Sequence, residues 1–129
     1  MEADFQESCR RLLGPPDALL LHNPDLGNAR LFPEALHWLL NTGVSRIGIS
    51  TEPSEDALRL YDLHPLNMIE FPYSKWDQRA EGTMRWVKDR RGILKVVNRV
   101  LGGPVKGGHP VEQVTEAWEY LCEHPAFWD

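Results

Sequence analysis

His22, Ser50, Glu70 and Asn98 each stand at or near the end of a short apolar run. Polar or small residues follow at Asn23, Thr51, Tyr73, Arg99, Gly102 and Gly103. A histidine in such a place can accept, donate or hold a proton. Hydroxyl, amide and carboxylate groups beside it can fix a polar ligand. Singly, each residue is ordinary: a lone histidine after an apolar strand is more often a capped core residue than a catalyst. Four polar strand ends together point to a ligand site, because open parallel sheets and barrels bind their ligands at the C-terminal ends of strands.

The elements that must position these residues alternate. Phe5, Cys9, Leu12 and Leu13 recur at helical spacing over 2–13, and glycine and prolines at 14–16 stop that helix. An apolar strand at 17–22 and a loop at 23–28 follow. A helix is expected over 33–41, with Pro33 in its first turn and Leu36, Leu39 and Leu40 on one face. A strand at 46–50 leads to helix caps at 51–54 and a helix ending near 62. A strand at 67–71, a polar and aromatic loop, a helix at 80–90 and a strand at 93–98 come next. A glycine-rich loop at 101–109 precedes a final helix at 110–123, with Val111, Val114, Trp118 and Leu121 on one stripe.

Strands starting near residues 17, 46, 67 and 93, separated by helices, call for right-handed βαβ crossovers and a parallel sheet. The expected fold class is therefore α/β: a partial (β/α) barrel of about four parallel strands with helices on the outside. A full barrel takes about 250 residues, so 129 residues make roughly half of one, in a single domain spanning 1–129. A small open doubly wound sheet is the alternative. Half a barrel has two unpaired edge strands and an open inner face, and self-association into a homodimer is the physical remedy.

Several motifs fail on inspection. The glycine spacing from Gly103 to Gly108 is that of a phosphate loop, but His109 and Pro110 replace the lysine and hydroxyl. Gly48, Ser50 and Glu52 fall short of a nucleophile elbow, whose second glycine is missing. No paired-cysteine or HExxH spacing suggests a metal. The cations at Arg85, Lys88, Arg90, Arg91 and Lys95 are broken by Trp86 and Asp89 and read as a solvated face. A net charge of −5 disfavours nucleic acid and anionic membrane surfaces. No apolar run approaches a membrane span. Cys9 and Cys122 lie far apart and read as thiols of a reducing, cytoplasmic compartment.

The strand ends also carry a family resemblance. The run DALLLHNP at 17–24 resembles the aldo/keto reductase strand that ends in the active-site histidine. GVSRIGIS at 43–50 resembles the next strand of that family. EFPYS at 70–74, with Asp77 and Arg79 after it, resembles the sixth strand and its loop. NRVLGG at 98–103 resembles the seventh strand and its cofactor loop. HPVEQ at 109–113 and HPA at 124–126 resemble the region of the helix before the eighth. The match runs in order along nearly the whole chain.

The resemblance implies an NADP(H)-dependent oxidoreductase ancestry and a small-molecule carbonyl substrate. It places His22 at the family's catalytic histidine. Asn23, Ser50, Thr51, Glu70, Tyr73, Arg99, Gly102 and Gly103 fall in the cofactor cradle, with Ser50 and Glu70 facing the nicotinamide carboxamide. Thr51 stands where the family usually has asparagine, and Glu70 where it has glutamine. A carboxylate only accepts hydrogen bonds, so half of that recognition changes. The family's tyrosine, lysine and aspartate belong to early strands that precede this segment, and the phosphate site after strand eight follows it. The implied protein is a truncated relative without reductase activity by itself. Alternatives are an oxidoreductase completed by a second chain, and a non-catalytic module that binds a small molecule or a protein.

Overall fold

Five-residue apolar stretches bounded by turns are long enough for buried strands and too short for helices. In the computed structural model, which describes residues 2–28, 30–52, 54–102 and 108–125, four of them become strands. The order is α1 (Glu2–Leu12), β1 (Ala18–His22), α2 (Leu31–Leu40), β2 (Arg46–Ser50), α3 (Glu55–Leu63), β3 (Met68–Pro72), α4 (Glu81–Lys88), β4 (Leu94–Asn98) and α5 (Val111–Glu123). The strands form one parallel sheet in the order β1-β2-β3-β4. The fold is α/β, an open four-stranded sheet with the form of a partial β/α barrel. Each strand lies beside its predecessor with no reversal of order, so there is no switch point and the doubly wound alternative is set aside.

Local chemistry explains the element ends. Ser54 caps α3, its side chain accepting the Ala57 N–H at 3.1 Å. Asn28 Oδ1 accepts the N–H of Leu31 at 2.8 Å and of Arg30 at 3.2 Å, so α2 begins before Pro33. Pro33 still falls in the first turn, where its missing N–H costs nothing.

Strand alternation sorts the side chains. Leu19, Leu21 and Ile47 pack against Leu36 and Leu39 of α2, and Ile69, Phe71 and Val97 pack against Ala80, Met84 and Val87 around α4. The residues between them, including His22, Gly48, Ser50, Met68, Glu70 and Asn98, belong to the other, concave face. Tyr61 of α3 joins the two halves of the core. Its hydroxyl donates to the Met68 carbonyl at 2.7 Å and accepts the Ile49 N–H at 3.2 Å, bridging β2 and β3. Burial pushes the Tyr61 hydroxyl far above its ordinary pKa, so the proton stays to make that bridge. Gly48 leaves room for it: a methyl group there would lie 1.6 Å from the Met68 carbonyl oxygen.

The final helix departs from expectation. Its apolar stripe at Val111, Val114 and Trp118 is exposed, Trp118 by 68%, while Ala117 and Tyr120 face the protein. Gln113 donates to the Leu101 carbonyl, Lys75 pairs with Glu116 at 2.7 Å, and Tyr120 and His124 reach Tyr73. So α5 lies over the loop after β3, held by polar contacts.

Replacing Tyr61 by phenylalanine leaves the Ile49 N–H and Met68 carbonyl without their bridge. The expected cost is about 1–3 kcal/mol, read as a lower denaturation midpoint in urea with unchanged slope. A midpoint equal to wild type would show that β2 and β3 hold together without the hydroxyl.

Candidate functional site

Parallel register brings the strand ends to one level. His22 lies opposite Ser50 and Ser50 opposite Glu70, while Asn98 closes the neighbouring strand opposite Pro72. Backbone bonds continue past the strands and lock the mouth: Asn23 N–H to the Ser50 carbonyl at 2.7 Å, Thr51 to Glu70 at 3.1 Å and Tyr73 to Asn98 at 3.1 Å.

On the concave face the side chains join in a single row across all four strands. Asn23 Nδ2 lies 3.3 Å from His22 Nε2, and His22 Nδ1 lies 3.4 Å from Ser50 Oγ. Ser50 donates to Glu70 Oε1 at 3.3 Å, and Asn98 Nδ2 donates to the same oxygen at 2.7 Å. The amide nitrogen of Asn23 can only donate, so His22 Nε2 accepts and its Nδ1–H points to Ser50. The polarity therefore runs inward from both edges and ends on the Glu70 carboxylate. The Asn98 amide is fixed by the same logic, since its oxygen would repel that carboxylate. Its Oδ1 is left buried with no hydrogen-bond partner. An orphaned buried acceptor is costly and marks a place for a donor.

A cleft of about 60 Å³ opens above the row, lined by His22, Asn23, Ser50, Thr51, Glu52, Pro72, Asn98 and Arg99. Arg99 stands in a left-handed conformation (φ 53°) at its rim, 3.7 Å from Glu52. Arg79 lies 3.6 Å from Glu52 and grips Asp77 through two bonds of 2.8 and 2.7 Å. That hydrogen bonding holds the Asp77 carboxyl down to about 2.

Of the positions singled out in the sequence, His22, Asn23, Ser50, Thr51, Glu70 and Arg99 meet at this mouth. Gly102 turns the chain after β4 at φ 82° and packs against Trp76, away from the row. Gly103 lies outside the described residues. Tyr73 is built into a different cluster, because it continues the parity of Ile69 and Phe71 and faces the helices. Glu52 was not foreseen; its place beside the cleft comes from the turn after β2, which no strand periodicity indicates. Among the described residues, no group of three or more His, Cys, Asp or Glu side chains could hold a metal. Within the basic stretch Arg90 stacks 3.9 Å over Trp86 and pairs with Asp62 at 3.3 Å, and Arg85 lies 3.4 Å from Glu81.

The Tyr73 cluster is the second polar assembly. Its hydroxyl donates to Glu81 and lies 2.9 Å from both the Tyr120 hydroxyl and His124 Nε2, while Glu81 lies 3.3 Å from His124. Burial, reinforced by Glu81, raises the Tyr73 pKa well above its ordinary value. The donated hydrogen bond lowers that of Glu81. These contacts dock the end of α5 on the start of α4.

No protein-family model, curated protein or solved structure matches this chain. Among the described residues no helix is long and apolar enough to cross a membrane.

The Glu81 shift has a pH consequence. A carboxyl depressed in the folded state contributes stability that is complete above its ordinary value of 4.5 and is lost as pH falls below it. Near-ultraviolet circular dichroism of the tyrosines is expected to change below that pH in wild type. In Tyr73→Phe, which removes the main cause of the depression, the change moves to higher pH. Identical acid profiles for the two proteins would contradict the role given to Tyr73.

Proposed function

We propose that the chain is a half-barrel relative of the aldo/keto reductases that keeps part of a dinucleotide cradle and does not reduce carbonyls by itself. The observation that carries this reading is the row His22–Ser50–Glu70–Asn98 with its orphaned acceptor, Asn98 Oδ1. A planar carboxamide, such as that of nicotinamide, offers two N–H donors and one acceptor. One donor suits Asn98 Oδ1 and another the Ser50 oxygen or Glu70, which the row leaves as the centre of negative charge. Arg99 at the rim suits the pyrophosphate of the same cofactor. The ordered resemblance of the strand ends supports the same ligand class, NADP(H).

Chemistry beyond binding needs more than this mouth holds. Reduction requires a proton donor within hydrogen-bond reach of the substrate oxygen and a hydride donor held in a near-attack pose. The described residues lining the cleft offer His22 but neither tyrosine nor lysine. His22 is also committed on both ring nitrogens, to Asn23 and to Ser50. Its role here is to order the row. The two cysteines, one exposed and one half-buried and both free, accord with a cytoplasmic setting.

Titration with NADPH and NADP, followed by tryptophan fluorescence and calorimetry, tests the cradle. Saturable binding is expected, weakened roughly 2–10-fold by Ser50→Ala, the equivalent of one hydrogen bond. Glu70→Gln, which removes the carboxylate on which the row converges, is expected to weaken binding by a similar factor. Binding that is absent at millimolar cofactor, or that ignores both substitutions, overturns the cradle. NADPH-dependent turnover of any aldehyde in a panel by the pure chain overturns the claim of inactivity.

A further inference from the structure

We infer that two copies of this chain close into one eight-stranded parallel barrel, β4 of each copy pairing with β1 of the other. The inference stands on the sheet edges and does not depend on the ligand reading above. Among the described residues β1 pairs only with β2, and β4 only with β3, so each outer edge presents a row of backbone donors and acceptors with no described strand beside it. Both edge strands are five residues long. All four strands run parallel in sequence order, so the free edge of β4 is the one a further β1 would extend. A two-fold axis along the strands preserves their direction and closes both seams at once. Eight is the strand number at which side chains fill a barrel interior.

The β1 edge is already shaped for a strand. A groove of about 670 Å³ runs along the whole of β1, walled by Phe5, Ser8 and Leu12 of α1 and by Phe32 and Trp38 of α2. Its far wall is held in place: Phe5 meets Trp38 edge-on at 5.7 Å, and Trp38 Nε1 donates to Glu2 at 2.7 Å. So α1 stands where the outer helix of the next strand would stand, with no described strand beneath it. Leu12, 62% exposed on that wall, is an apolar residue awaiting cover.

The surface area agrees. The chain exposes 8530 Å², against about 7000 Å² for a compact monomer of 14.8 kDa. The excess, on the order of 1500 Å² per copy, lies in the range that permanent dimers bury. Closure would set Asn98 of one copy on the strand beside His22 of the other. The two polar rows would then form one ring around a shared mouth, so each copy completes the other's site.

Sedimentation of the full chain across micromolar concentrations, with hydrogen exchange at the two extremes, tests this. Wild type is expected at twice 14.8 kDa, with exchange protection of β1 and β4 amides that rises with concentration. Leu12→Glu should sediment as a monomer with an unchanged far-ultraviolet spectrum, and Trp118→Glu, on the exposed stripe of α5, should stay dimeric. A monomeric wild type, a dimer that survives Leu12→Glu, or one lost in Trp118→Glu overturns the proposal. If Leu12→Glu does not fold, the exchange pattern of wild type decides: concentration-dependent protection confined to 111–118 overturns it.

Discussion

Register between parallel strands is the constraint on which the mouth depends. Side chains alternate with period two, so a slip of one residue between β2 and β3 would turn Glu70 toward the helices and leave Ser50 without it. Asn98 would lose its acceptor with the same slip, and His22 would donate to a serine with nowhere to pass its own proton. The core enforces the register. Ile47, Ile69, Phe71 and Val97 can be buried under α2, α3 and α4 only if the intervening residues face the concave side. Tyr61 secures the seam where the ladder is shortest, bridging β2 and β3 through its hydroxyl. Hydrophobic burial on one face thus assembles the polar row on the other.

The row has an energetic asymmetry. Three of its members are satisfied by neighbours, and Glu70 gathers two of the donors on one oxygen. Asn98 Oδ1 remains buried and unbonded, at a cost of about 1–3 kcal/mol. A network with one unsatisfied acceptor is stable enough to persist and primed for a donor. The same trade is seen at larger scale in the sheet. Among the described residues the outer edges of β1 and β4 lack a neighbouring strand and Leu12 is exposed, while the helices and the Tyr73 cluster hold the sheet together.

Much of the fold was legible in the sequence because its signals are short and repeated. Each strand is an apolar run bounded by glycine, proline or a capping serine, and the helices between show their 3.6-residue spacing. Parallel pairing followed from connection length, whereas the strand order separating a partial barrel from a doubly wound sheet did not. His22, Ser50 and Glu70 were legible for the same reason: each sits at the end of a run. Tyr73 lies apart from the row because proximity to a strand end does not fix the face; its parity with Ile69 and Phe71 does. The stripe on α5 misled because periodicity reports an apolar face without saying what covers it. Here polar contacts from Gln113, Glu116, Tyr120 and His124 choose the opposite face. In the sequence Glu52 shows only as the residue that breaks a nucleophile-elbow pattern, since its place beside the cleft is set by the turn after β2.

The central claim is that Glu70 organises the concave row into a site with one acceptor left open on Asn98. Side-chain amide NMR of Asn98 reads this directly during a titration with nicotinamide mononucleotide. The account predicts that the Asn98 Nδ2 resonances start displaced by the Glu70 carboxylate and move saturably with ligand. The His22 ring and the backbone amides of Ser50 and Thr51 should move with them. Resonances that stay fixed at millimolar ligand, or shifts confined to residues away from the strand mouths, would contradict it.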